Sequence, residues 1–237
     1  MAAGQPMQLP LGVKLRDEAT FDNYYPGPNA GVLAALQALA DPQSAPAELC
    51  IYLWGAAGSG RSHLLQAACH RMAEAGGLAM YLPLAELLDY GPVLLEGMEQ
   101  FDLLCLDELD ALAGRADWEE ALFHLYNRIQ QRQGRLLIAA AAAPRALSLQ
   151  LPDLVSRLGW GLVFQLQVLD DEGKQQMLKL RAERRGLQLP DEVARYILSR
   201  GARGMSELFA ALEQLDQASL QAQHRLTIPF VKRVMGW

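Results

Sequence analysis

A glycine-rich segment at residues 55–62 reads Gly-Ala-Ala-Gly-Ser-Gly-Arg-Ser. The apolar run before it, residues 49–54, is typical of a buried strand, and the alanine- and leucine-rich residues 64–75 after it are typical of a helix. Strand, glycine turn and helix in this order predict a phosphate-binding loop, because glycine lets the backbone wrap closely around a polyphosphate. The backbone amides and the positive end of the helix would then bind the phosphates.

The loop departs from the usual pattern at Arg61, which stands where such loops nearly always carry lysine. Lysine acts as a mobile point charge on the β- and γ-phosphates, whereas the arginine guanidinium is a planar fork with fixed donor directions. We therefore expect nucleotide binding to survive and the placement of a γ-phosphate to suffer. Ser62 offers the hydroxyl that would hold Mg²⁺. A tight surface turn is the simpler alternative for a glycine-rich match.

A second motif supports the first, since residues 101–108 read Phe-Asp-Leu-Leu-Cys-Leu-Asp-Glu. Four apolar residues between acids predict a buried parallel strand that delivers Asp107 and Glu108 at its carboxyl end, where open α/β sheets bind ligands. Asp107 would reach Mg²⁺ through water, and Glu108 could orient the attacking water of a hydrolysis. Taken alone, the pair could also be a strand followed by an acidic helix cap. The two motifs together predict a P-loop NTPase core.

Composition limits the classes of protein that the chain can be. It has 237 residues, 51% of them hydrophobic, and can bury one substantial core and a small second one. No window approaches the roughly 20 apolar residues of a membrane span, and the N-terminus lacks a signal pattern, so we expect a cytoplasmic protein without membrane contact. The three cysteines and four histidines show no metal-ligand spacing, which argues against a zinc site.

The charge balance argues against a protein that binds nucleic acid with its whole surface. The net charge is −6 and the pI about 5.3, whereas such binding depends on neutralising phosphates. We interpret two basic segments as solvated helix faces; a docking face for an acidic or nucleic-acid partner is the alternative. The segments contain Lys179, Arg181, Arg184 and Arg185 in one case, and Arg128, Arg132 and Arg135 in the other.

The chain divides into three predicted regions. Residues 1–18 lack periodicity and predict an extended tail. Residues 19–168 predict an α/β core with a parallel five-stranded sheet and flanking helices, and residues 169–237 predict a small helical lid, so that the whole indicates an AAA+ module. The fourth predicted strand runs against local propensity, because residues 139–143 are alanine, a good helix former. Strands are expected at 49–54, 78–82, 103–107, 135–140 and 162–166.

Four stretches carry a family likeness that covers nearly the whole chain. They are Thr-Phe-Asp-Asn-Tyr-Tyr-Pro-Gly at 20–27, Gly-Arg-Ser-His-Leu-Leu at 60–65, Leu-Pro-Asp-Leu-Val-Ser-Arg-Leu at 151–158 and Leu-Thr-Ile-Pro-Phe-Val-Lys at 226–232. In this order they resemble the AAA+ domain of the bacterial replication initiator DnaA and, more closely, the shorter Hda family that inactivates DnaA. Arginine at the P-loop lysine position is familiar in that family, so Arg61 supports the resemblance.

The resemblance implies a nucleotide site, with residues 24–27 beside the base. Two sensor positions depart from the family pattern, because residues 139–143 offer no polar side chain and Ser206 stands where the lid arginine is expected. Arg203, three residues before Ser206, is the candidate substitute. Weak sensors favour a nucleotide that is held, and we expect ADP. The expected nucleotide-binding residues are Tyr24, Tyr25, Pro26, Gly55, Gly58, Ser59, Gly60, Arg61, Ser62, His63, Asp107 and Arg203, with any Mg²⁺ on Ser62 and Asp107.

The resemblance also implies two interaction sites. Arg157 would be an arginine finger, which enters a neighbouring subunit's nucleotide site and stabilises the charge on the transferring phosphoryl group. A salt bridge on a helix surface is the alternative. Gln8, Leu9 and Leu11 resemble the peptide that docks on the β sliding clamp, where leucines enter an apolar pocket and the glutamine bonds its rim. An unstructured leader is the alternative.

The leading hypothesis is a regulatory protein that is bound to ADP, tethered to the clamp, and presents Arg157 to ATP-bound DnaA. Its own hydrolysis, through Glu108, would be weak or absent. The sequence ends at Trp237 without the helix-turn-helix domain that follows the lid in DnaA, so we expect little direct DNA binding. The alternatives are an autonomous P-loop enzyme and a loader that binds single-stranded DNA. AAA+ faces favour a homo-oligomer, but no coiled-coil signal specifies one.

Overall fold

The structure is a computed structural model that describes residues 15–201 and 204–237. Within these ranges, five parallel strands form one sheet in the order β2-β3-β4-β1-β5, with helices on both faces and a helical unit after the last strand. The strands are β1 Cys50–Trp54, β2 Ala79–Pro83, β3 Leu103–Asp107, β4 Arg135–Ala140 and β5 Leu162–Gln165. The helices are α1 Ala30–Leu39, α2 Arg61–Glu74, α3 Leu84–Leu87, α4 Ala116–Gln131, α5 Pro152–Leu158, α6 Asp171–Arg184, α7 Asp191–Arg200, α8 Met205–Ala222 and α9 Ile228–Met235.

The sheet confirms the predicted fold class. Helices cover both faces of the sheet, with α1 and α2 over one core and α4 and α5 over the other, and its central strands are mostly apolar. The edge strand β5 is covered less completely, since Val163 and Gln165 are exposed. β1 lies between β4 and β5, in a register that pairs Trp54 with Ala140 and with Gln165. The order brings the carboxyl ends of β1, β3 and β4 to the same edge, where ligands bind in such sheets.

The alanine-rich fourth strand is confirmed in spite of its composition. β4 pairs with β3 on one side and β1 on the other, and Ala139 and Ala140 are fully buried. A helix at this place would leave the facing edges of β1 and β3 without their hydrogen-bonding partner, so sheet pairing overrides the helix propensity of alanine. The short side chain of Ala140 also lies beside the large indole of Trp54.

The lid helices surround a core of their own, as predicted. Leu178, Ile197, Leu212 and Val231 are fully buried in it, one from each of α6 to α9. Hydrogen bonds from side chain to backbone fix two of the helix starts, since the Asp170 carboxylate accepts from Gly173 N at 2.8 Å and the Thr227 hydroxyl accepts from Phe230 N at 3.4 Å.

The basic segment of α6 corrects the prediction of a solvated face. Arg181 and Arg185 both form ion pairs with Glu18, the latter at 2.5 Å, and Arg184 lies 3.5 Å from the Asp22 carboxylate. The guanidinium of Arg181 also stacks on the ring of Phe209, 4.0 Å from its centroid. These cations bind the lid to the residues that precede α1, so they are largely occupied within the molecule.

The other basic segment is likewise internal in part. Arg135 donates to the backbone carbonyls of Leu39 and Ser44 at 2.7 and 3.0 Å, and Arg128 lies 3.1 Å from the Glu99 carboxylate. Of this segment only Arg132 is exposed without a side-chain partner among residues 15–201 and 204–237. Neither segment provides a continuous cationic surface.

The end of the predicted tail also lies against the core. Arg16 N donates to the Gln66 side chain on α2 at 2.9 Å, and the His70 ring bonds the Arg16 carbonyl oxygen at 3.1 Å. Residues 15–18 are therefore part of the packed structure. The three cysteines are free and buried, as expected for small hydrophobic side chains.

Candidate functional site

The glycine-rich loop joins β1 to α2, as predicted. Gly58 and Gly60 have φ of +79° and +94°, a left-handed region that costs other L-residues free energy. A Cβ on Gly55 would lie 2.8 Å from the carbonyl oxygen of Leu166, so only glycine fits there. A Cβ on Gly58 would meet open space, which leaves room above the loop for a bound group. The first turn of α2 follows at Arg61, with its free amides at the loop.

Two serines of the loop suit a polyphosphate. Ser59 is 6% exposed, and its hydroxyl has no hydrogen-bond partner within the described parts of the chain. A buried hydroxyl without a partner is costly, so a phosphate oxygen at this position would satisfy it. Ser62 is half-buried in the first turn of α2. Both observations fit an anion at the loop.

Tyr24 packs against the loop. Its ring is buried against Gly60, where an added Cβ would lie 2.8 Å from the ring, and its hydroxyl accepts from Asn29 Nδ2 at 3.2 Å. Burial raises the pKa of Tyr24. Its packing leaves the half-buried Tyr25 and Pro26 as the residues of this segment that are more open to a base.

His63 faces away from the loop. Its Nε2 lies 2.8 Å from the carbonyl oxygen of Thr20, which makes Nε2 the donor, and its ring lies 5.8 Å from that of Tyr24. Burial lowers the pKa of His63. The side chain therefore holds residues 20–24 on α2, and only the backbone of His63 remains for phosphate binding.

The acidic pair lies at the carboxyl end of β3, as predicted. Asp107 is buried, and its carboxylate accepts from the Tyr81 hydroxyl at 2.8 Å and from Glu108 N at 2.9 Å. Glu108 is exposed and has φ of +58°. Desolvation, followed by the charges of Asp107, Glu86 and Asp110, raises the pKa of Glu108, whereas Arg61 opposes the shift. Arg61 and the carboxylates thus act on one another electrostatically.

Magnesium fits this site through few protein ligands. Mg²⁺ is commonly held by one or two protein oxygens together with substrate phosphates and water. Ser62 and Asp107 are the residues that would hold it, and it would neutralise phosphate charge when bound. Within the described ranges no group of three or more His, Cys, Asp or Glu side chains could bind a metal by itself. Binding of the ion would therefore depend on a nucleotide.

The two positions at which sensors were expected carry no acidic or cationic side chain among the described residues. After β4, Ala141 N donates to Asp110 at 2.8 Å, and the Ala142 carbonyl oxygen accepts from the Tyr52 hydroxyl at 2.8 Å. Ser206 is exposed on α8. Arg203 lies outside the described residues, as do Gln8, Leu9 and Leu11.

Arg157 lies in the last turn of α5 and stacks on aromatic rings. Its guanidinium carbon is 4.2 Å from the centroid of Trp160 and 5.7 Å from that of Phe123. No carboxylate of the described chain lies within salt-bridge distance of it. The alternative of a helix-surface salt bridge is therefore not what this structure contains.

Two residues that the sequence did not single out position these segments. Asn29 is 2% exposed and joins residue 167 after β5 through two bonds of 2.9 Å, besides its bond to Tyr24. Glu119 is fully buried, and its Oε2 accepts from Gln150 N and Leu151 N at 2.7 and 2.8 Å, directly before α5. The one available signal was a polar residue within an apolar pattern, as for Glu119 beside Trp118.

A polar groove of about 770 Å³ lies away from the loop, between residues 20–23 and the last turns of α2. Its charges have both signs, because it includes Asp22 and Glu74 as well as Arg71.

Within the described residues, no helix is both long and apolar enough to cross a membrane.

Two family models match the chain. The model of the bacterial DnaA ATPase domain matches residues 93–165, and that of the Hda lid domain matches residues 171–235. The boundary between the two matches falls just before α6, where the lid begins.

Solved structures establish the same fold. Domain III of DnaA from Thermotoga maritima matches with a TM-score of 0.77 at 22% identity, over 94% of this chain and 98% of that one. AMPPCP-bound DnaA from Aquifex aeolicus matches with a TM-score of 0.69 at 22% identity, over 87% and 68%. RuvB from Thermotoga maritima matches with a TM-score of 0.64 at 17% identity, over 87% and 66%. The core and lid therefore have the fold of these proteins.

Proposed function

Because the chain joins a DnaA-type ATPase region to an Hda-type lid, it belongs to the Hda family of DnaA-related AAA+ proteins, and we propose that it regulates replication initiation by stimulating ATP hydrolysis on DnaA. The action would take place in the cytoplasm. In this proposal the chain holds a nucleotide, expected to be ADP, and supplies Arg157 to the nucleotide site of ATP-bound DnaA.

The observation that carries the proposal is that the guanidinium of Arg157 has aromatic neighbours and no carboxylate partner among the described residues. An arginine that acts in another subunit's site must keep its donors available, and a salt bridge within its own chain would occupy them. Arg157 instead has aromatic neighbours, at 4.2 and 5.7 Å, and no ion pair with any described carboxylate. Its charge can therefore act on a developing phosphoryl charge at little cost in broken contacts.

The nucleotide site supports a holding role for the chain itself. The loop has the shape of a phosphate cradle, and Arg61 supplies a cation at it. After β4, where a polar side chain would sense the γ-phosphate, only alanine is present. A site that binds phosphates but senses the third one poorly suits a stably bound diphosphate.

The most direct experiment is to add the purified, ADP-bound chain to ATP-loaded DnaA in the presence of DNA-loaded clamp. We expect the conversion of DnaA-bound ATP to ADP to accelerate only when both the chain and the clamp are present. An unchanged rate in the complete mixture would refute the proposal. The nucleotide that co-purifies with the chain, identified by chromatography, is expected to be ADP.

The proposed clamp contact through Gln8, Leu9 and Leu11 is tested by comparing two variants of residues 1–18. Gln8→Ala should abolish capture of the chain on immobilised clamp, because the rim hydrogen bond is lost and the leucines are no longer aligned. Gln5→Ala is the matched control and should bind like the unaltered chain. Equal retention of both variants would show that the tail does not dock as proposed.

An autonomous ATPase is the second candidate, because Asp107 and Glu108 keep the acidic pair of a hydrolytic site. Rapid ATP turnover by the chain alone, abolished in Glu108→Gln, would favour this function. The same assay separates the two candidates, because a regulatory protein would leave added ATP intact until DnaA is present.

A further inference from the structure

Trp160 is an exposed aromatic residue on a constrained stretch of backbone. Its side chain is 61% exposed, so its packing removes little apolar surface from water. Trp160 N nevertheless donates to the carbonyl oxygen of Arg157 at 3.1 Å, in the turn that ends α5. The next residue, Gly161, lies so close to the start of β1 that an added Cβ would overlap the carbonyl oxygen of Cys50. The backbone on both sides of Trp160 is therefore constrained.

The indole of Trp160 lies against the guanidinium of Arg157. The distance of 4.2 Å from guanidinium carbon to ring centroid is well within the roughly 6 Å of a cation–π contact, and arginine stacks flat on such rings. Phe123 on α4 is a more distant second ring, at 5.7 Å. A long, flexible arginine side chain on a helix end would otherwise sample many rotamers.

Stacking and salt bridging differ in which N–H donors of the guanidinium they leave available. A carboxylate partner occupies the N–H groups at the edge of the guanidinium plane, which are the donors that bind phosphate. A stacked ring contacts the face of that plane and leaves the edge donors free. Trp160 can thus restrict the orientation of Arg157 without using the groups through which it would act.

We propose that Trp160 is a positioning residue that preorganises Arg157 for the nucleotide site of a partner subunit. The inference rests on the proposed function, because it concerns how the same arginine acts. Since the side chain is ordered in advance, less side-chain entropy is lost when Arg157, within the complex, engages the transferring phosphoryl group. Trp160 should therefore affect the rate within the complex more than the affinity for the partner.

The test is a titration of ATP-loaded DnaA and DNA-loaded clamp with variants of the full chain, giving a maximal rate and a half-maximal concentration. Trp160→Ala should lower the maximal rate about fivefold, the size of one exposed cation–π contact, with less than a twofold change in half-maximal concentration. Trp160→Phe keeps a ring face and should restore most of the rate. Leu220→Ala, at a lid residue 73% exposed, is the control and should match the unaltered chain.

Two results of this titration would overturn the inference. An unchanged maximal rate in Trp160→Ala would show that stacking is irrelevant. A changed half-maximal concentration with an unaltered maximal rate would make Trp160 an interface contact. Thermal unfolding of each variant checks that the chain is folded.

A second measurement does not depend on DnaA. In an NMR spectrum of the full chain, the Nε–Hε signal of Arg157 should show ordering and a ring-current shift that Trp160→Ala removes and Trp160→Phe retains. An Arg157 signal that is mobile in the unaltered chain would contradict the positioning role. If the unaltered chain is ordered but does not accelerate hydrolysis on DnaA, the proposed function fails while the stacking stands.

Discussion

At Gly60 the backbone has a left-handed conformation and touches the ring of Tyr24, so a methyl group there meets both torsional strain and a neighbour. Gly60→Ala should destabilise the fold by about 1–2 kcal/mol and weaken ADP binding, because the loop must move. Gly31→Ala is the matched control, since Gly31 lies in α1 with open space around it and should gain about 0.5–1 kcal/mol. Urea unfolding and titration with a fluorescent ADP analogue measure both effects.

His63 makes a prediction about pH. Burial lowers its pKa below the usual 6.5, so the unfolded chain takes up a proton before the folded chain does. The stability that neutral His63 contributes is complete above pH 6.5 and is lost as the pH falls towards the lower pKa of the folded state. His63→Gln should therefore flatten the decline of unfolding free energy between pH 7 and 5. Urea unfolding of His63→Gln and of the unaltered chain across this pH range measures the effect, and an equal decline in both would contradict it.

At the scale of the element, much of the fold follows from local patterns. Five apolar runs and the lid helices could be predicted because the hydrophobic pattern of consecutive residues indicates a strand or an amphipathic helix. β4 shows the limit, since residues 139–140 are alanine and their pairing with β1 makes them part of a strand.

The contacts between elements could not be predicted in the same way. Glu18 and Arg185 are 167 positions apart, and nothing in the sequence near either residue indicates the other. The packing of Tyr24 on Gly60 likewise depends on how residues 20–24 are placed on α2. The motifs and the family resemblance therefore predicted the P-loop, the acidic pair and Arg157 as candidates, whereas the contacts that position them became evident only from the structure.

Among these supporting residues, we expect Glu119 to contribute most to the free energy of unfolding. Glu119→Ala would leave Gln150 N and Leu151 N without their acceptor before α5, and should cost about 2–3 kcal/mol of unfolding free energy. Glu120→Ala is the control, because the Glu120 side chain is 74% exposed and, in the part of the chain that the structure describes, its ion pair is with His124 on the same helix. Equal midpoints of urea unfolding for the two variants would show that Glu119 is not a structural anchor.

At the scale of the whole molecule, Glu18 joins the lid to the residues before α1. Glu18→Gln should loosen this attachment by up to about 1 kcal/mol, a modest effect because the carboxylate is half exposed. Faster hydrogen exchange in α6 is the expected signature, and salt should produce a similar effect in the unaltered chain. Glu183→Gln is the control, since Glu183 is exposed on α6 with no ion pair to any described residue. Identical exchange in both variants would contradict a lid anchored through Glu18.

The central claim concerns two molecules, because the chain holds its own nucleotide and acts through Arg157 on that of DnaA. The measurement is the rate at which DnaA-bound ATP is hydrolysed with DNA-loaded clamp and either Arg157→Ala or the control Arg145→Ala, an exposed arginine before α5. For Arg157→Ala we predict a loss of roughly 10³-fold, or down to the rate of DnaA alone, with ADP and clamp binding intact. Full stimulation by a folded Arg157→Ala chain would contradict the account.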